Sequence, residues 1–205
     1  MEPVRAFIAI ELSDDVLSQV ARMQTRVRQD LPPGLVRWVA PEGIHLTLKF
    51  LGDVDPDRLP EIEQALGSAC AAYAPFSLRI GALGCFPNLQ RPRVIWIGVD
   101  DAGAKRDADK GGALTALQRD IERAISPLGF PTEQRGFHPH LTLGRVKNGR
   151  KPAELEALGA YTTRAKVRGG QMQVDSVHLM QSELLPAGAV YSALAVIPLT
   201  PNRDR

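Results

Sequence analysis

The chain has 205 residues, with 25 Lys and Arg against 23 Asp and Glu, a formal net charge of +2, and 44% hydrophobic and 23% charged residues. That balance excludes a disordered chain, a collagen-like fibre and a coiled coil, and the length fits one large domain or two small ones around a buried core. No apolar run approaches the roughly 20 residues that a membrane helix needs, and the N-terminal Met1-Glu2-Pro3-Val4-Arg5 is read as carrying no secretory signal.

Residues 5–12 form a short, nearly continuous apolar run, which predicts a buried strand. Ser13 follows as an N-cap, with Asp14 and Asp15 in the first helical turn. Val16, Val20, Met23 and Val27 then mark one face of a helix that Leu31-Pro32-Pro33-Gly34 ends. Residues 44–51 alternate as a strand, with His45, Thr47 and Lys49 on one face and Leu46, Leu48 and Phe50 on the other. Asp55-Pro56 opens a second helix whose buried face is Leu59, Ile62, Leu66, Ala69 and Tyr73.

Strands are expected at 76–81 and 94–99, and then a polar linker at 100–112 with glycines at both ends. A third helix carries Leu114, Leu117, Ile121, Ile125 and Leu128 in register and stops at Gly129. A strand at 137–146, a short helix at 152–158 and strands at 165–167, 171–181 and 190–198 complete the chain. Mixed elements with several possible hairpins favour an α+β fold with antiparallel sheets over a doubly wound parallel one. Two cysteines, Cys70 and Cys85, neither staple a fold of this size nor make a cysteine-based zinc site. A thiol-reduced, cytoplasmic setting is expected, and a monomer.

One tetrapeptide occurs twice. His45-Leu46-Thr47-Leu48 returns as His140-Leu141-Thr142-Leu143, 95 positions later. A given tetrapeptide of this composition occurs by chance in roughly one of 10⁵ windows. The repeat therefore indicates an internal duplication into two lobes, each supplying one His-Leu-Thr-Leu strand. On a strand, residues i and i+2 share a face, so each motif presents an imidazole and a hydroxyl together. Two facing imidazoles suit a reaction that needs an acid and a base at once, because a group with a pKa near ~6.5 is available in either state at neutral pH. Threonine hydroxyls can donate to phosphoryl oxygens.

Neither histidine has a glutamate at ligand spacing, and no HExxH is present, so no metal and no cofactor are expected. His138, in His138-Pro139-His140, is read as structural or as lining the cleft's rim, and His178 as a bystander. Residues 135–151 hold five basic side chains and no acidic one, whereas residues 53–63 carry a local charge of −4. A basic wall beside the second motif would attract a polyanion despite the small net charge. Arg135 and Arg145 flank that motif and are candidate substrate contacts. Lys49 shares the His45 face and is another. Trp38, Phe50 and Tyr191 could stack on a base, although Phe50 is expected to fill the core with Leu48.

The paired motifs resemble the signature of the 2H phosphoesterases, and within them the RNA 2′,3′-cyclic phosphodiesterase branch, also called 2′-5′ RNA ligase. The resemblance runs through Arg5-Ala6-Phe7-Ile8-Ala9-Ile10, the extended first motif at 45–52, Cys85-Phe86-Pro87, residues 93–99, and Phe137 to Arg145, to Ser182, Gly188 and Tyr191. It implies a bilobal α+β fold, with two pseudo-symmetric lobes lining a central cleft and helices outside. The whole chain, 1–205, would be a single catalytic domain of two intertwined lobes. It implies metal-independent hydrolysis of an RNA 2′,3′-cyclic phosphate end to a 2′-phosphate. By position, His45 would be the proton donor, His140 the proton acceptor, and Thr47 and Thr142 would hold the phosphoryl oxygens. Pseudo-symmetry leaves an exchange of acid and base open. Reversible, ATP-independent 2′-5′ joining and a binding module with little turnover are the alternatives.

Overall fold

The computed structural model describes residues 2–102, 112–165, 167–185 and 188–200. Most of the expected linker at 100–112 lies outside the described residues, as does Lys166. The elements run β1 (Val4–Ile10), α1 (Asp14–Asp30), β2 (Val36–Trp38), β3 (Leu46–Val54), α2 (Leu59–Cys70), β4 (Phe76–Phe86), β5 (Val94–Asp101), α3 (Ala113–Ile125), β6 (His140–Val146), α4 (Pro152–Arg164), β7 (Arg168–Val174), β8 (Ser176–Leu185) and β9 (Gly188–Pro198). No described helix is long and apolar enough to cross a membrane.

The nine described strands form one curled antiparallel sheet in the order β7-β4-β5-β6-β3-β1-β8-β9, with β2 against β6. The order reads as two four-stranded halves that meet where β3 and β6 pair through Leu46 and Leu141. Both leucines are fully buried, each worth about 1.5–3 kcal/mol relative to exposure. The two His-Leu-Thr-Leu strands are therefore neighbours at the middle of the sheet. Counting one residue outward from Leu46 and Leu141 in an antiparallel pair sets His45 against Thr142 and Thr47 against His140.

The main core lies on the helix-covered face. Val16, Val20 and Val27 of α1, Ile62 and Leu66 of α2, and Leu114, Leu117, Ile121 and Ile125 of α3 pack there with Ile8, Ile10, Ile95 and Ile97. Spacings of three, four or seven put these residues on one face of each helix, which explains the amphipathic packing. The opposite face carries only a small cluster of Phe7, Ala9 and Met180, with Tyr191 against it.

Some expectations shift. β2 had no separate expectation, because three residues are too few for a periodic signal. α4 runs on to Arg164, and β4 to Phe86. Ser13 occupies the N-cap of α1 with an extended backbone, but its hydroxyl makes no capping bond.

Candidate active site

His45 enters β3 from a 3₁₀ turn at Pro41–Gly43. Its half-buried ring packs on Phe7, with centroids 4.7 Å apart, and meets the edge of Tyr191 at 4.9 Å. Burial lowers its pKa to about 4, against the opposing pull of a backbone hydrogen bond to Gly43. His140 has the same surroundings in the other half. Phe86 stands edge-on at 4.9 Å, and Trp96 lies at 6.1 Å. The Nδ1 of His140 is 2.7 Å from the carbonyl of His138. A carbonyl only accepts, so Nδ1 carries the proton and Nε2 of the neutral ring keeps its lone pair free. The pKa of His140 is also lowered, first by burial and then by the charges of His138 and Arg145, while the His138 carbonyl pulls it upward. Each motif histidine is thus held by the main chain two residues before it. His138 contributes to the site through its carbonyl; its ring is exposed.

Both motif strands bulge at the fourth residue of the motif. Against β1, Thr47 pairs with Ala9 and Lys49 with Ile8, leaving Leu48 extra. Against β5, Thr142 pairs with Trp96 and Gly144 with Ile95, leaving Leu143 extra. An extra residue reverses which face the following side chains take. Lys49 therefore turns into the helix-covered core instead of the cleft. It is buried, pairs with Glu122 at 2.5 Å and donates to the Pro131 carbonyl at 2.9 Å. Phe50 turns onto the cleft face beside Phe7, at 6.1 Å, and is 72% exposed, the reverse of the core position expected for it.

The same reversal in β6 sends Gly144 to the core face and Arg145 to the cleft face. A β-carbon on Gly144 would lie 2.5 Å from Val36 Cγ1 and 3.0 Å from the Arg37 carbonyl, so the bulge requires glycine there. Trp38 pairs with Gly144 and packs against the main core, which removes it from the cleft as a stacking partner. Arg37, which the sequence did not single out, pairs directly with Arg145, and both are exposed. Like charges set opposite one another repel, and an anion between them relieves that. Arg135 is exposed in the irregular segment before His138, and its charge is not among those acting on His140.

A cavity of about 250 Å³ opens beside His45, walled by Glu11, Asp14, Glu42, Ile44, Met180 and Tyr191. His178 contacts Glu11 and the Ser176 hydroxyl, each at 3.0 Å. Among the described residues, no group of three or more His, Cys, Asp and Glu side chains could hold a metal ion. The arrangement brings together His45, Tyr191 and Phe50 from one half and His140, Thr142 and Arg145 from the other. The ring contacts of Phe7 and Phe86 escaped the sequence reading, and Phe50 was assigned to the core, because neither ring contacts nor bulges have a local signature.

A family model described as the 2′-5′ RNA ligase superfamily matches residues 12–184. A Methanothermobacter thermautotrophicus protein named RNA 2′,3′-cyclic phosphodiesterase is 36% identical over 96% of this chain and 99% of its own length. One of the same name from Archaeoglobus fulgidus is 32% identical over 94% and 99%. Among solved structures, TT0787 of Thermus thermophilus superimposes with a TM-score of 0.75 at 28% identity, over 95% of this chain and 97% of that one. LigT of E. coli in complex with 3′-AMP gives 0.68 at 25% identity, over 98% and 100%.

Proposed function

Because the chain belongs to the 2′-5′ RNA ligase superfamily, we propose that it hydrolyses the 2′,3′-cyclic phosphate at an RNA end to a 2′-phosphate, using His45 and His140 as an acid/base pair. The observation that carries this reading is the matched setting of the two imidazoles on adjacent strands, each held by a main-chain group. His140 Nε2 takes a proton from water as the water oxygen attacks phosphorus. The bond from phosphorus to the 3′-oxygen breaks, and His45 protonates that oxygen. Thr47 and Thr142 donate to the non-bridging oxygens. Arg145 supports His140 as the base, because its charge opposes protonation of that ring. Among the described residues no such cation acts on His45, which therefore gains the proton when a phosphate anion arrives. The chain works as one catalytic unit, since the pair spans both halves of the sheet.

The test is product analysis from an oligonucleotide with a 2′,3′-cyclic end, in buffer containing EDTA. A 2′-phosphate supports the reading. A 3′-phosphate reverses the leaving group, chelator-abolished turnover restored by zinc contradicts the metal-free step, and tight binding without product marks a binding module. With a 5′-hydroxyl oligonucleotide in place of water, the same displacement yields a 2′-5′ linkage, the joining that the superfamily's name describes.

The acidity of the pair predicts two displaced pH profiles. Both rings are less basic than free imidazole, so the free enzyme holds the one-proton state only below pH 6.5. The bell in kcat/KM should centre on the acid side of that value. Bound phosphate favours the protonated ring, so the bell in kcat should lie at higher pH. Coincident bells at neutral pH would contradict this. Stability should follow the same group. His45 binds its proton more weakly folded than unfolded, so its contribution is full above pH 6.5 and is lost as the pH falls toward 4.

Phe50, exposed on the cleft face, is placed to stack on the terminal base. Phe50→Ala should raise KM by about 10-fold with kcat nearly unchanged, since one stacked base is worth about 1–3 kcal/mol. Michaelis kinetics on a short cyclic-ended oligonucleotide would check it, and an unchanged KM would remove Phe50 from the binding site.

A further inference from the structure

Two buried glutamines stand in matching places in the two halves. Gln24 of α1 lies 21 residues before His45, and Gln118 of α3 lies 22 before His140. Gln24 Nε2 donates to the Val39 carbonyl at 2.7 Å and to the Leu143 carbonyl at 2.9 Å. Gln118 Nε2 donates to the Leu48 carbonyl and to Glu122 Oε1, both at 3.3 Å. All four partners are acceptors, so each amide nitrogen spends both its hydrogens, which only an amide or a cation could do here. Leu143 and Leu48 are the extra residues of the two bulges. A bulge takes its residue out of regular ladder pairing; Gln24 adds a second donor to the Leu143 carbonyl, which also accepts from the Val39 N–H at 2.9 Å, and Gln118 donates to the Leu48 carbonyl.

The connections cross. Gln24 sits on the helix that leads to the first motif, yet holds the bulge of the second. Its other bond is to Val39, just before the turn whose Gly43 holds His45. Gln118 sits on the helix that leads to the second motif, yet holds the bulge of the first. Through Glu122 and Lys49 it reaches the Pro131 carbonyl, at the start of the segment that ends in the His138 carbonyl behind His140. We propose that Gln24 and Gln118 are positioning residues that form two crossed braces, each tying the bulge of one motif to the segment that aims the histidine of the other. The two imidazoles then keep a fixed relation to each other, which a step that takes one proton and gives another demands.

This rests on the acid/base reading of His45 and His140. The experiment uses the full chain with Gln24→Met and Gln118→Met, close in volume and without the donors. Steady-state kinetics on a cyclic-ended oligonucleotide, well below each variant's Tm, should show kcat lowered by about 10-fold and KM changed by less than about twofold, since small misplacements cost rate more than binding. NMR titration of the imidazoles should show both histidines displaced by either single substitution. That readout stands even where the wild type proves to have no turnover, which would sink the hydrolytic reading alone. A lower Tm with kcat and both titrations unmoved, or a response confined to one histidine, overturns the braces. Where a variant does not fold, solvent exchange of the Gln24 and Gln118 side-chain amides in the wild type decides. Slow exchange at both supports the braces, and free exchange at either overturns them.

Discussion

Replacing His140 by alanine is expected to lower kcat for cyclic-phosphate hydrolysis by about 10³-fold, and His45→Ala by a similar factor, the usual worth of one positioned acid or base. Both rings are only partly buried, so the loss should come with a folded protein. The double variant should be little worse than either single one, because removing one partner already disables a concerted proton transfer. Single-turnover rates on a cyclic-ended oligonucleotide, with circular dichroism as the control for folding, measure all three. A variant that retains a tenth or more of wild-type turnover would exclude that histidine from the reaction. Multiplicative losses in the double variant would show the two acting in separate steps.

The second large effect concerns stability. Lys49 and Glu122 form a buried pair, with side chains 3% and 10% exposed. Lys49→Met leaves the Glu122 carboxylate without its cation, a change that costs about 3–5 kcal/mol. For a chain of this size, Tm should fall by roughly 10 °C. Lys49→Met combined with Glu122→Leu should recover most of that, since an apolar pair of similar volume replaces the ion pair without stranding a charge. Thermal denaturation followed by circular dichroism tests both. A single variant that melts with the wild type would mean that solvent reaches Glu122 and the pair is not sealed.

Much of the candidate site was legible before the structure, because the repeat points to a paired imidazole and hydroxyl. Two copies of a His-x-Thr strand give the residues, and strand periodicity gives the shared face. The apolar spacing of α1 and α3 likewise revealed the faces that cover the sheet. What the sequence could not disclose begins at Leu48 and Leu143. Nothing local marks a bulge there, so simple alternation carried Lys49 into the cleft and Phe50 into the core, and the structure exchanges them. Trp38 went astray for a related reason. Its face is decided by pairing with Gly144, a contact 106 residues away in the chain. Gln24 and Gln118 carried no signal in the sequence, because the carbonyls they donate to come from distant segments.

The strand order also bears on how the molecule comes into being. β1, made first, lies between β3 and β8, and Ala6 to Ala9 pair with residues 178–181. A nascent chain that has emerged only as far as residue 175 already holds both His-Leu-Thr-Leu segments, yet one flank of β1 is bare and Tyr191 is missing beside His45. Such long-range pairing slows folding and leaves an open strand edge while synthesis continues. Competence to open a cyclic phosphate is thereby deferred until β8 and β9 have emerged, and fragments that end before them should be inert and prone to aggregate.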